Sequence, residues 1–125
     1  MTKTMLPGWQ LDLERGPDWL LIRLQPTVQG PKQEIDLAKS VWQIMEQHLA
    51  HRLVLDMSAI PLMRSWLIGQ LVHLHQLIAQ HDGMLRLCNL SPGNQEAIRI
   101  CRLQDQLPHY EDCHAAVMGT PKKPR

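Results

Sequence analysis

Apolar residues return at every second position through "GWQLDLE", give way to "RGPD", and resume in "WLLIRLQP". Period two interrupted by turn residues predicts two strands joined as a hairpin. In the second strand Leu20, Ile22 and Leu24 share one face and Leu21 and Arg23 the other, so the strand is expected to be half covered and to end at Pro26. From Glu34 to about Ala50 the period changes. Ile35, Ala38, Val41, Trp42, Met45 and Leu49 recur at three- and four-residue steps, the stripe of an amphipathic helix, with Lys39, Gln43 and Gln47 opposite.

"RLVLDMS" is a short continuous apolar run closed by Asp56, the pattern of a central parallel strand buried on both faces. A second helix is expected to begin at Ser65, whose hydroxyl would act as N-cap, a contribution of about 0.5 to 2 kcal/mol. Leu67, Leu71, Leu74 and Ile78 form its buried stripe, and "HDG" stops it with Gly83 in a left-handed conformation. "MLRLCNL" predicts the next strand, and Ser91-Pro92 starts a third helix with Ala97, Ile98 and Cys101 facing inward. "LPHY" predicts a short edge strand, because Pro108 lacks a backbone donor. A last helix runs from about Asp112 to Met118 and stops at Gly119. The order β-β-α-β-α-β-α-β-α predicts an α/β fold with a mixed, mostly parallel sheet of about five strands and about four helices.

A chain of 125 residues forms one core, here expected over residues 1–119, with residues 120–125 as a disordered basic tail. At 44% apolar and 20% charged residues, the composition is that of a folded domain. A net charge of +1 supplies no field for a nucleic-acid backbone or an anionic membrane. No uncharged apolar run approaches a membrane span, and the N-terminus lacks the apolar core of a secretory signal, so a soluble cytoplasmic protein is expected. Cys88, Cys101 and Cys113 show no C-x-x-C spacing, which fits a reducing compartment.

The segment "LVLDMSAIPLMRSWLIGQLVHLHQLIAQHDGMLRLCNLSPGNQEAIRICRL" resembles the STAS domain, the family of sulfate transporters and anti-sigma factor antagonists. Strand ending in L-D-[LM]-S, loop, D-S-[ST]-G-L at a helix start, apolar helix, strand and third helix agree in order, and the resemblance covers nearly the whole chain. It places Ser65 on the serine that antagonists present to a kinase and Gly69 on the second glycine of the motif. Arg64 replaces the acidic residue, Trp66 the second hydroxyl residue and Leu67 the first glycine. The resemblance implies a non-enzymatic module whose partner is an anti-sigma factor or a serine kinase of the histidine-kinase-like ATPase type, and whose phosphorylation on Ser65 weakens that complex. Asp56, Leu62, Met63, Arg64, Ser65, Trp66 and Gly69 are the residues expected at the interface.

Two other readings stay open. Ser65 can be a plain N-cap in a degenerate STAS scaffold that binds through Arg64 and Trp66 without modification, or the crevice at the strand carboxyl ends can hold a small ligand or substrate. Asp56 does not suit a phospho-accepting receiver, because no lysine occurs between Lys39 and Lys122, and reads as a loop-ordering acceptor. Neither His73 with His75 nor His48 with His51 offers convergent metal ligands, Cys88 and Cys101 read as small hydrophobes, and "NLSPGNQEA" lacks a nucleotide-binding pattern. No catalytic residue, cofactor or metal is expected.

Overall fold

The structure, a computed structural model, describes residues 2–27 and 35–119; the predicted helix start at Glu34 and the basic tail at 120–125 lie outside them. Six strands and four helices follow in the order β1 (Thr2–Leu6), β2 (Trp9–Arg15), β3 (Leu20–Pro26), α1 (Leu37–Gln47), β4 (Arg52–Asp56), α2 (Ser65–Gln80), β5 (Met84–Cys88), α3 (Pro92–Ile100), β6 (His109–Tyr110) and α4 (Cys113–Met118). Strand order in the sheet equals chain order. The first three strands form an antiparallel meander, and β3 to β6 run parallel.

The predicted hairpin is β2–β3, with Leu11 opposite Leu24 and Leu13 opposite Ile22 on the covered face. The Gly16 N–H donates to the Trp19 carbonyl at 2.8 Å to close its turn. β1 is an addition to the expected topology. Its residues are exposed or half-exposed, so an apolar alternation that would have announced it is missing from "TKTML".

Leu53, Val54 and Leu55 of β4 are fully buried because both faces of the sheet are covered. On one face α1, α2 and Ile98 of α3 close the main core over Leu20, Ile22, Leu53, Leu55 and Leu87. On the other, Val54, Cys88 and Trp19 pack with Ala116 of α4.

Four expectations are corrected. Leu49 is no part of the α1 stripe: the helix ends at Gln47, and Leu49 takes φ 53° with 81% of its surface exposed. At the end of α2 the left-handed residue is Asp82, at φ 58°, and not Gly83. Gly83 is needed for space, since a Cβ there would run into the His51 carbonyl oxygen and come within 2.7 Å of Ile78 Cγ2. In α3, Cys101 is exposed at the C-cap while Asn94 and Ile98 are the buried residues. Ser65 is not a cap: Arg64 is, with extended φ −88° and ψ 165°, and Ser65 is the first helical residue.

Candidate functional site

The segment from Met57 to Arg64 leaves the carboxyl end of β4 and enters α2. Met57, Ile60 and Met63, three residues apart, are buried, which fastens the segment to the core at regular intervals. The residues between them face outward, Leu62 with 63% of its surface exposed. Polar contacts complete the fastening. Asp56 Oδ1 accepts from the Ser58 N–H at 2.9 Å and from Asn89 Nδ2 at 3.0 Å. Burial pushes the Asp56 carboxyl up, but the bonds from Asn89 and Ser58 and the charge of Arg23 more than offset it and hold the carboxyl below its ordinary range.

The other support comes from α3. Asn94 is fully buried, accepts from the Met63 N–H at 2.7 Å through Oδ1 and donates to the Ile60 carbonyl at 2.9 Å through Nδ2. Ser91 caps α3 by accepting from the Asn94 N–H at 3.2 Å, and its hydroxyl donates to the Pro61 carbonyl at 3.1 Å. Asn94 was not among the expected site residues. A polar side chain three residues after a capping serine inside "SPGNQEA" was its only trace in the sequence.

Ser65 emerges from this frame exposed, and its hydroxyl makes no hydrogen bond among the described residues. The first bond of the helix runs from the Ile68 N–H to the Arg64 carbonyl at 3.1 Å, and among the described residues no side chain caps the turn before it. No acidic residue lies in that first turn, so no side-chain charge within it offsets the positive end of the helix beside the hydroxyl.

Arg64 and Gly69 are exposed, and Trp66 is half-buried, its ring 6.2 Å from that of Trp9 at an interplanar angle of 27°. A Cβ on Gly69 would meet nothing within 4 Å. Leu62, Arg64, Ser65 and Gly69 are thus accessible and Trp66 partly so, while Asp56 anchors the start of the loop through the Ser58 N–H. Met63 does not join them. It is 4% exposed and belongs to the core, because the backbone bond to Asn94 turns its side chain inward.

A hollow of about 320 Å³ is lined by Arg15, Pro17, Asp18, Trp19, Leu49, Ala50, His51 and Arg52, at the opposite end of the parallel strands. Among the described residues no helix is long and apolar enough to cross a membrane.

In class this is a small α/β domain with one loop pinned beside an exposed helix start. The family model for the STAS domain matches residues 13–116, and the chain belongs to the STAS domain family. The fold is that of an anti-sigma factor antagonist from Mycobacterium paratuberculosis, with a TM-score of 0.69 at 13% identity over 93% of this chain and 97% of that one. It is also that of a STAS domain protein from Planctomyces limnophilus, TM-score 0.62 at 20% identity over 87% and 96%. The antagonist SpoIIAA in its unphosphorylated form gives 0.60 at 13% identity over 90% and 99%. No curated protein matches the chain by sequence.

Proposed function

We propose that this chain is a non-enzymatic binding module of the anti-sigma factor antagonist kind, acting in the cytoplasm of a bacterium and controlled by phosphorylation of Ser65. Its partner is an anti-sigma factor or a serine kinase of the histidine-kinase-like ATPase type, docked on Leu62, Arg64, Ser65, Trp66 and Gly69, with Asp56 ordering the loop. The observation that carries this reading is an exposed hydroxyl with no hydrogen bond among the described residues, at the first position of a helix whose N-cap side chain makes no capping bond, beside an exposed leucine.

The electrostatics suit a switch on binding rather than on folding. A phosphate adds about −1.5 to −2 charges. Unpaired N–H groups at the helix start and the Arg64 guanidinium stabilise that charge, so the domain tolerates it. A partner packed on Leu62 and Trp66 would face a strongly hydrated dianion instead, and release follows.

The test takes the histidine-kinase-like serine kinases encoded in the same genome, incubates each with the chain and ATP, and reads the intact mass and the modified peptide. One phosphate on Ser65 is expected, and the kinase that adds it should bind the unmodified chain and lose affinity for Ser65→Asp. A scaffold reading is favoured by the departures at Arg64, Trp66 and Leu67. It takes over if Ser65→Asp leaves affinity unchanged while Leu62→Ala or Trp66→Ala abolishes it.

A further inference from the structure

Away from the Ser65 surface, on the α4 side of the sheet, three electron-rich side chains converge from distant parts of the chain. Asp56 ends β4, Cys88 ends β5 directly across from it in the parallel register, and Cys113 opens α4. A carboxylate oxygen of Asp56 and the sulfurs of Cys88 and Cys113 all lie within 4.8 Å of one another. All three cysteines are free thiols, Cys88 buried, Cys113 half-buried and Cys101 exposed elsewhere.

Packing accounts for Cys88, which fills the small core with Val54 and Ala116. Cys113 packs against the same cluster, but packing alone does not call for a carboxylate oxygen beside the two thiols. The group between them is informative: Asn89 Nδ2, with its positive hydrogens, stands 3.0 Å from Asp56 Oδ1, 3.8 Å from Cys88 Sγ and 3.7 Å from Cys113 Sγ. The amide occupies the place where a cation would satisfy all three. Asn89 is half-exposed, and cation binding requires its amide to turn outward.

We propose that Asp56, Cys88 and Cys113 form a binding site for a thiolate-preferring divalent cation, with Zn²⁺ the ion its donors select. Two thiolates and one carboxylate are a borderline-soft set that suits zinc over magnesium or calcium. At a zinc–sulfur distance of about 2.3 Å, tetrahedral ligands lie roughly 3.8 Å apart, so the donors need to close in by only about an ångström. Binding replaces two thiol protons, released to solvent, with two metal–sulfur bonds. The carboxylate supplies the third bond and a water the fourth, on the side where Asp56 and Cys113 are half-exposed. The resulting site carries one negative charge, and Arg23, paired in register with Asp56, lies on the neighbouring strand to balance it.

The test uses the full chain, reduced and stripped of metal, titrated with Co²⁺ and then Zn²⁺. One equivalent of cobalt should give tetrahedral visible bands and thiolate-to-cobalt charge transfer in the near ultraviolet, both bleached by one equivalent of zinc. Cys101→Ser, a built-in control, should behave as the parent. Cys113→Ser should lose the charge-transfer band, and Asp56→Asn should weaken binding by roughly tenfold or more, the scale of losing even an outer partner of a metal site. Cys113 is half-buried and serine fits its place, so this variant decides the matter even if Cys88→Ser fails to fold. No cobalt spectrum in the parent, or the same spectrum in Cys113→Ser, overturns the proposal.

Discussion

Gly69 is an expensive residue for the body of a helix, worth about 0.8 to 1 kcal/mol less than alanine, and an added Cβ there would meet no described atom within 4 Å. Gly69→Ala should therefore raise the midpoint of thermal unfolding by a few degrees. If a partner's backbone approaches there, the same variant should bind less tightly, and titration with that partner checks the pair of outcomes. Gly83 is the opposite case. Its missing Cβ keeps the His51 carbonyl and the Ile78 side chain where they are, so Gly83→Ala should destabilise by about 1 to 3 kcal/mol in urea unfolding. Sequence pattern identified both glycines, as a motif match and as a helix stop, but it assigned the second the wrong reason. The left-handed turn falls on Asp82, and crowding between the end of α2 and His51, just before β4, is invisible in a one-dimensional reading.

At the scale of elements, periodicity carried the reading wherever one face was buried and one was not. The β2–β3 hairpin, α1 and α2 were legible for that reason, whereas β4 was legible as a short continuous apolar run buried on both faces and α3 by its Ser91-Pro92 start. β1 was not, since its exposed residues leave no contrast to detect. Met63 was misplaced for a related cause: in a loop, three-residue spacing of Met57, Ile60 and Met63 carries no recognised pattern, yet it seats the loop. The seat depends equally on Asn94. Asn94→Ala would strand the Met63 N–H and the Ile60 carbonyl in the interior, at about 1 to 3 kcal/mol for each. Faster hydrogen exchange at the Met63 amide, beyond the global loss of stability, would mark the loop as the part released.

At the scale of the whole molecule, β4 and β5 each contribute to both cores. Leu53 and Leu55 of β4 face α1 and α2, while Val54 between them faces Trp19, Cys88 and Ala116. Trp19, with the Arg86 guanidinium 4.9 Å from its ring, closes the far end of the smaller core. Trp19→Ala should cost about 3 to 5 kcal/mol and still unfold in one step, because neither face can open without the shared strands. Coincident urea transitions by circular dichroism and fluorescence would confirm it. The meeting of Asp56, Cys88 and Cys113 is also a property at this scale. Parallel register and the return of α4 bring them together, and no short spacing in the chain foretells it.

The way Ile60 and Met63 are sunk into the interior bears on which enzymes can reach Ser65. Drawing the two side chains out to lay this segment along a peptide groove would forfeit about 1.5 to 3 kcal/mol apiece. An enzyme that modifies this serine must therefore dock on the assembled tertiary surface, and a synthetic peptide of residues 60–70 should be a far poorer substrate than the intact chain.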